Sequence, residues 1–277
     1  MIDLHCHSFF SDGCLSPQAL LLKALEHQVQ VLALTDHDTL EGVASLQAAA
    51  AGTSVHIIPG IELSACFKLI DVHILGFNMT IDDPTFISLI KRQEHSRVVR
   101  AQKIGEKLLA LGLVDAYQKA VQLAGHDRVG RPHFAQVLIN EGRAIDMKQA
   151  FKRFLGRGRP AYVPTAWISV EEAVRGIVQA KGCAVIAHPF KYALTRTKLH
   201  ALINAFKLAG GTGLEVVSGR MEPALVAEAA QLCKRFDLLA STGSDYHGDG
   251  MSHVGLGRQS ALPDDCVPLW SDWGLNL

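Results

Sequence analysis

The chain has 277 residues, and its 27 Lys and Arg residues balance 27 Asp and Glu residues. With 48% hydrophobic residues and no excess of charge, it is neither a disordered chain nor a strongly basic nucleic-acid binder. No apolar run approaches the roughly 18 residues of a membrane span, and the segment 1–5 lacks the features of a signal peptide. The six scattered cysteines form no C-x-x-C pair, so we expect reduced thiols in a cytoplasmic protein without a membrane or stable protein partner.

Short apolar strands alternate with helices in the first part of the chain. The predicted strands are 2–4, 31–34, 55–58 with 61–63 after a break at Pro59-Gly60, and 72–77. The helices between them are 17–28, which opens at Ser16-Pro17, and 40–51, which ends at Gly52. Residues 84 to 155 are predicted to be helical throughout, with helices at 84–112, 115–123 and 132–141. The alternation of strands and helices therefore stops after the fourth strand.

Alternation resumes after a capping box at Ser169–Glu172, which opens a helix that ends at Lys181. The remaining strands are 184–187, 213–217 and 238–241, and the helices between them are 195–208 and 222–235. Such alternation is typical of parallel βαβ units, and about seven strands predict an α/β barrel or barrel-like sheet. We expect the barrel to comprise 1–83 and 160–277, with 84–159 inserted as a helical lobe that caps the substrate.

The predicted lobe is basic although the whole chain is neutral. Residues 91–159 contain fifteen Lys or Arg against six Asp or Glu, so the rest of the chain is acidic by the same amount. A basic face on a helical lobe is either a solvated surface or a surface that attracts a polyanionic substrate.

Metal-binding side chains follow almost every predicted strand. They are His5, His7 and Asp12 after the first strand, His37 after the second, Glu62 in the third, His73 in the fourth, His188 after the fifth, and Asp245 and His247 after the last. The carboxyl ends of barrel strands meet at one end of the barrel, where the chemistry of such folds is located, so these nine side chains should converge.

The spacing of these side chains along the chain would allow neighbouring residues to bind the same metal ion. Residues two apart on an extended chain point to the same face, so His5 and His7 can hold one ion together, as can Asp245 and His247. A carboxylate such as Glu62 has two oxygens and can bridge two ions. Nine imidazole and carboxylate ligands without a thiolate suit about three ions of Mn, Fe or Zn better than a structural zinc site. Cys6 points away from this face and is expected in the core.

A single histidine at a strand end is more often a surface residue than a ligand. Here histidine or carboxylate side chains occur at six strand ends. Chance explains such a pattern poorly, so the pattern favours a site that holds several metal ions. Six histidines fall outside the pattern and are interpreted as ordinary polar residues: His27, His56, His95, His126, His200 and His253.

Five motifs together resemble the PHP (polymerase and histidinol phosphatase) family of phosphoesterases: residues 3–8 with Ser11-Asp12-Gly13, Thr35–Asp38, Gly60–Glu62, Ala187–Pro189 and Gly243–His247. The resemblance implies a distorted seven-stranded TIM-like β/α barrel and three metal ions. One ion would take His5, His7 and Asp245 and share Glu62 with a second. The second would add His73 and His188, with His133 as a rival of His73. The third would take Asp12, His37 and His247.

Two motifs of the inserted lobe resemble one branch of this family more specifically. Gly130–Ala135 and Arg157–Val163 are similar to 3′,5′-nucleoside bisphosphate phosphatases, a branch that includes 5′–3′ exoribonucleases of the RNase AM type. This implies hydrolysis of nucleoside 3′,5′-bisphosphates to the monophosphate, 5′–3′ degradation of short 5′-phosphorylated RNA, or both. The implied cofactors are three divalent ions, with Mn expected first and Fe, Zn or Mg also compatible.

The roles of individual residues follow from phosphate ester hydrolysis. A hydroxide bridging two ions would attack phosphorus, since metal binding lowers the pKa of water to about 7. Asp245, His188 and Glu62 would then be the catalytic residues. Guanidinium groups pair with phosphate in a bidentate way. The expected substrate contacts are Arg131 and His133, followed by Ser11, Arg157, Lys191 and Arg196, with Phe190 and Tyr192 either stacking on a base or packing.

Three alternatives remain open from the sequence. The protein could be another PHP phosphomonoesterase, such as a histidinol phosphatase. It could be an accessory module of a DNA polymerase, although no polymerase domain fits in 277 residues. It could also be a metal-dependent binding protein without activity, which the complete ligand set disfavours.

Overall fold

The computed structural model describes residues 1–192 and 194–275. Its strands are β1 (Ile2–Cys6), β2 (Val31–Leu34), β3 (His56–Phe67), β4 (Ile70–Phe77), β5 (Ile168–Ser169), β6 (Cys183–Ile186), β7 (Gly213–Ser218) and β8 (Leu239–Gly243). Its α-helices are α1 (Pro17–Glu26), α2 (Glu41–Ala50), α3 (Pro84–Ala110), α4 (Ala116–Ala124), α5 (Arg131–Asn140), α6 (Met147–Ala150), α7 (Val170–Gln179), α8 (Arg196–Leu208) and α9 (Pro223–Phe236). A π-helical turn, Phe151–Leu155, continues α6, and a 3₁₀ turn, Pro189–Tyr192, follows β6.

Two helices begin at the caps that the sequence predicts. The Ser16 hydroxyl accepts a hydrogen bond from the Ala19 amide at 3.1 Å, with Pro17 in the first turn of α1. The Ser169 hydroxyl accepts from the Glu172 amide at 3.1 Å at the start of α7. Each side-chain cap satisfies an amide that the helix leaves unpaired, which contributes about 1 kcal/mol.

Seven strands form a sheet that nearly closes into a barrel, in the order β1-β2-β3-β4-β6-β7-β8, and β5 pairs with β3. The two edge strands meet through the His7 amide, which donates to the Tyr246 carbonyl at 2.9 Å, and the Asp245 amide, which donates to the His5 carbonyl at 2.8 Å. Gly243 permits this approach, because a Cβ there would lie 2.2 Å from the Cβ of His5. The prediction of a distorted seven-stranded barrel is confirmed.

The fourth strand departs from the parallel βαβ units that the sequence predicts. β3 runs unbroken through Pro59-Gly60 and turns directly into β4, which is antiparallel to both β3 and β6. As a result the amino-terminal half of β4 lies at the same end of the barrel as the carboxyl ends of the parallel strands, and Ser64 pairs with His73. The short strand β5 is a further element that the sequence pattern does not reveal.

The helices α3 to α6 follow one another without an intervening strand and share a hydrophobic cluster of their own. The long helix α3 joins this cluster to the barrel. Its first turns pack in the barrel core through Phe86, Leu89 and Ile90, and its later turns contribute Ala101, Ile104 and Leu108 to the helical cluster. Within the described chain, the helices are all too short or too polar to cross a bilayer.

Candidate metal centre

The structure brings all nine side chains that the sequence singles out to one end of the barrel. They form four overlapping groups whose nitrogen and oxygen atoms lie within 4.8 Å of one another: His7, Asp12, His37 and His247; His5, His7 and Asp245; His5, Glu62 and His188; and His37, Glu62 and His73.

Glu62 lies at the centre of the groups and is fully buried. Its Oε2 atom is 3.2 Å from His5 Nε2 and 3.2 Å from His37 Nδ1. Its Oε1 atom is 2.7 Å from His73 Nδ1 and 2.9 Å from His188 Nε2. His7 Nε2 is also 3.3 Å from Oε2, so one carboxylate oxygen faces three histidines and the other faces two. This is the arrangement that a bridging ligand requires.

The two aspartates face different histidines of the cluster, although both lie within 4 Å of His7 and His247. Asp245 Oδ1 is 3.4 Å from both His5 Nε2 and His7 Nε2, and its other oxygen pairs with Lys191. Asp12 Oδ1 is 3.3 Å from His247 Nε2, and Asp12 Oδ2 is 3.7 Å from the ring of His37. Each aspartate therefore lies within 4 Å of several imidazole rings.

Several of these buried atoms make no hydrogen bond within the described chain. They are both ring nitrogens of His7, His37 Nδ1, His188 Nδ1 and Asp12 Oδ1. Buried polar atoms in native proteins nearly always have a partner, so this group needs another occupant. Imidazole nitrogens and carboxylate oxygens are ligands of divalent transition metals, and the residues present therefore fit metal ions. Cys6 takes no part, because its thiol donates to the Ala33 carbonyl at 3.3 Å.

Charge balance keeps the acidic members of the cluster ionised. Burial by itself raises the pKa of Asp245, but His5 and Lys191 outweigh it and hold that pKa well below its usual range. Burial likewise opposes ionisation of Glu62, whose pKa is nevertheless held well below its usual range by His37, His73 and His5. Ionised carboxylates are the form that binds cations.

A buried carboxylate beneath the cluster orients two of the histidines. Glu215 on β7 accepts a hydrogen bond from His5 Nδ1 at 2.9 Å, and its second oxygen accepts from the His188 amide at 2.6 Å. The first contact leaves His5 Nε2 facing Glu62 and Asp245. Glu215 is not among the site residues predicted from the sequence, although a single carboxylate inside the apolar strand Gly213–Ser218 is a signal that could have indicated it.

Replacing Glu215 by glutamine is expected to weaken metal binding by about 10- to 100-fold, because a partner that fixes the orientation of a histidine ligand is lost. Titration of the protein with Mn²⁺, followed by isothermal calorimetry, measures this change. Glu228→Gln is the matched control, since Glu228 lies on the surface of α9 and pairs with Arg196. Equal affinities of the two variants would contradict the role of Glu215.

The segment after β2 divides its side chains between the cluster and its support. His37 faces the cluster, whereas Asp36 and Asp38 are buried beneath it. The hydroxyls of Ser8 and Ser11 both donate to Asp36, at 2.6 Å each. Ser11, an expected substrate contact, thus lies buried with its hydroxyl engaged by a carboxylate.

A cleft of about 710 Å³ opens beside the cluster. His37, Glu62 and His73 line one side of it, and the side chains contributed from beyond the barrel include Arg131, Arg157 and Tyr162. Lys191, Tyr192 and Lys198 also line the cleft. Two basic side chains of the helical segment, Arg131 and Arg157, therefore face the centre, which favours an anionic ligand between them and the cluster.

Arg131 and His133 both lie in the first turn of α5 but in different surroundings. The Arg131 guanidinium lies over the ring of Phe151, 5.7 Å from its centroid, and borders the cleft. His133 Nδ1 accepts a hydrogen bond from the Gly130 amide at 3.0 Å, and burial lowers the pKa of His133 to about 4, so the ring is neutral. The geometry favours His73 over His133 as a ligand, because only His73 belongs to the clustered groups.

Arg100 on α3 is a further cation that the sequence does not single out. Its side chain is buried, and its Nε and one terminal nitrogen have no hydrogen-bond partner in the described chain. The nearest carboxylate oxygen, Asp71 Oδ2, is 3.8 Å away. Burial and the neighbouring Arg131 lower the pKa of Arg100 to about 9. An arginine interior to a helical run carries no motif, so only the fold reveals that it lies near Asp71 and Arg131, which line the cleft.

A family model for the PHP domain matches residues 3–155, and the chain belongs to the PHP family of metal-dependent phosphoesterases. Among curated proteins, it is 38% identical to a 5′-3′ exoribonuclease of Haemophilus influenzae, over 97% of each chain. It is 37% identical to a 3′,5′-nucleoside bisphosphate phosphatase of Chromobacterium violaceum, over 98% of this chain and 95% of the relative. Both matches extend over the barrel and over the inserted helices. The family and the enzyme class predicted from the sequence are therefore confirmed.

A solved structure of an amidohydrolase from Chromobacterium violaceum, with bound sulfate, superposes with a TM-score of 0.93. The two chains are 37% identical, and the match covers 97% of this chain and 94% of the other. The barrel and its helical insertion are therefore shared as one architecture.

Proposed function

We propose that this protein is a metal-dependent phosphoesterase that removes the 3′-phosphate of nucleoside 3′,5′-bisphosphates and also releases 5′-nucleotides from short 5′-phosphorylated RNA. The observation that carries this proposal is the cleft itself, in which six of the nine clustered histidine and carboxylate side chains share the lining with Arg131 and Arg157 of the helical lobe. The relatives described above bear names of both activities, which supports the choice of a nucleotide substrate.

The cluster would hold three divalent ions, with Glu62 as the shared ligand and Mn as the expected metal. His5, His7 and Asp245 would complete one set, and His73 and His188 a second. Asp12, His37 and His247 would form the third. Bound divalent ions lower the pKa of water and neutralise the charge that develops on a phosphoryl group.

The protein side chains would position the substrate around this centre. Arg131 and Arg157 would bind the 5′-phosphate of the substrate, because guanidinium groups pair with phosphate oxygens. Arg100 would add a second guanidinium beside Arg131, since its buried nitrogens lack partners. With the 5′-phosphate held by the lobe, the 3′-phosphate of the same nucleoside would reach the cluster. The helical segment would thus act as a substrate-capping lobe.

We also infer a cytoplasmic location and no requirement for a membrane. The six cysteines are all free thiols in the structure, as expected in a reducing compartment.

The direct test incubates Mn²⁺-loaded protein with adenosine 3′,5′-bisphosphate and follows inorganic phosphate and the nucleotide product. Release of phosphate with formation of adenosine 5′-monophosphate is the expected result. Histidinol phosphate serves as the comparison substrate. Faster hydrolysis of histidinol phosphate, or no hydrolysis of the bisphosphate by protein with bound metal, would overturn the nucleotide assignment.

Arg131→Ala is expected to lower kcat/KM for adenosine 3′,5′-bisphosphate by about 10- to 100-fold, because a charge-assisted contact to the 5′-phosphate is lost. Hydrolysis of an aryl phosphate, which has no second phosphate, should change far less. Steady-state kinetics on the two substrates measure the difference, with Arg92→Ala as the control, since Arg92 pairs with Glu172 on the outer surface. Equal losses on both substrates would mean that Arg131 has only a structural role.

A further inference from the structure

A second cavity, of about 420 Å³, adjoins the metal centre beneath the loops that follow β6 and β7. It shares His188 and Lys191 with the cleft described above, so both spaces border these two side chains beside the cluster. Its other walls come from Phe190, Ser218, Arg220, Met221 and His253, with Glu222 and Leu225 at its border. Within the described chain, its lining includes no residue of the helical lobe.

Three polar side chains that line this cavity have no hydrogen-bond or ion-pair partner in the described part of the chain. The Ser218 side chain is 5% exposed, yet its hydroxyl makes no hydrogen bond within the described residues. Arg220 and His253 are exposed, and the part of the chain that the structure describes offers neither of them an ion pair. A buried hydroxyl without a partner is rare and indicates a group that is satisfied by something other than the protein.

We propose that this cavity, the downstream subsite, binds the nucleotide on the 3′ side of the phosphate that is cleaved in RNA. The inference rests on the proposed function and extends it. In RNA cleavage, a water oxygen forms a bond to phosphorus while the bond from phosphorus to the 3′-oxygen of the first nucleotide breaks. That 3′-oxygen leaves with a proton, and the new 5′-phosphate stays on the shortened chain.

The two substrates differ only on the downstream side. A nucleoside 3′,5′-bisphosphate carries a simple oxygen where RNA carries the next nucleotide. That next nucleotide must lie beside the metal centre but outside the space that the first nucleotide and the lobe fill. The downstream subsite meets this requirement, because it touches the centre at His188 and Lys191 and contains none of the lobe side chains.

The lining suits a nucleotide. Phe190 and Met221 offer apolar surface to a base, and stacking on an aromatic ring accepts any base. Arg220 and Lys191 supply positive charge for the backbone phosphates, and the Ser218 hydroxyl can bond a ribose hydroxyl. The Glu222 carboxylate can accept from a ribose hydroxyl or a base amino group. The volume falls within the roughly 300–1,000 Å³ typical of ligand pockets.

The experiment compares Mn²⁺-loaded wild type with Arg220→Ala and Ser218→Ala on two substrates, the 5′-phosphorylated dinucleotide pApA and adenosine 3′,5′-bisphosphate. The ratio of kcat/KM for pApA to kcat/KM for the bisphosphate should fall about tenfold in Arg220→Ala, because a charge-assisted contact is lost only with pApA. Ser218→Ala removes a single unpartnered atom and should lower the same ratio about threefold. Arg235→Ala is the matched control, since Arg235 lies at the other end of α9 over the ring of Phe236.

Each outcome bears on one proposal or the other. An unchanged ratio in Arg220→Ala, or a ratio that falls as far in Arg235→Ala, overturns the downstream subsite. Wild type that hydrolyses the bisphosphate but not pApA also overturns the subsite, while the phosphatase activity stands. Wild type with bound metal that hydrolyses neither substrate overturns the proposed function itself. If only pApA is cleaved, a loss in Arg220→Ala that Arg235→Ala lacks still supports the subsite.

Discussion

Replacing His37 or Asp245 by alanine is expected to reduce phosphate release from adenosine 3′,5′-bisphosphate by more than about 100-fold while the protein stays folded. His37 belongs to two of the four ligand groups, and Asp245 faces both His5 and His7. Under the proposed function, loss of either side chain would remove a metal ligand. Phosphate release at saturating Mn²⁺, bound metal by mass spectrometry and circular dichroism together measure the effect.

His56→Ala is the control for this experiment. His56 lies on β3, the strand that carries Glu62, but at its exposed beginning and outside the clustered groups. It should keep the activity and the metal content of the wild type. Full activity of His37→Ala or Asp245→Ala would contradict the assignment of these residues as metal ligands.

Asp38→Asn is expected to lower the free energy of unfolding by about 3–5 kcal/mol, because it leaves the buried Arg97 guanidinium without a counter-charge. Asp38 is fully buried, and Arg97 Nε donates to it at 2.5 Å. Its other oxygen accepts from the Ser64 amide at 2.7 Å and from Gln93 at 3.1 Å. Asparagine suits the test because Asp38 has a φ of 53°, a conformation that asparagine tolerates.

Urea unfolding of Asp38→Asn measures the loss, with Glu172→Gln as the control. Glu172 forms an exposed ion pair with Arg92, and such surface pairs contribute less than about 1 kcal/mol. A similar, small loss in both variants would show that the buried pair stabilises the fold no more than a surface pair does. A double variant, Asp38→Asn with Arg97→Met, should recover part of the stability because both buried charges are then removed.

The sequence predicts the residues of the cluster well because their spacing follows backbone geometry. His5 and His7 lie two apart on an extended strand, and the barrel brings the ends of its strands together. The α/β class, the barrel and the helical insertion follow from the same periodicities. These properties depend on local residue patterns and on the order of the elements, both of which can be identified in a single sequence.

The direction of the fourth strand could not be predicted in this way. β3 and β4 are joined through Lys68 and Leu69, which have φ values of 47° and 66°. Tight hairpins of this kind favour glycine and asparagine, and a Lys-Leu pair carries no such signal. The contacts of buried polar groups could not be predicted from the sequence either. Glu215 contacts His5 across 210 positions of the chain, and Arg100 nears Arg131 only because α3 and α5 contribute to the same hydrophobic cluster.

The closure of the barrel between its first and last strands has a consequence for the order of folding. Six of the nine clustered side chains lie within the first 73 residues. Asp245 and His247, by contrast, lie in the segment after β8 that is hydrogen-bonded to the end of β1. During synthesis the early ligands therefore leave the ribosome long before their partners. Contacts between such distant positions form late, since closing a long loop costs entropy. Tight metal capture should mark the end of folding, and the bound ions would then stabilise only the completed barrel.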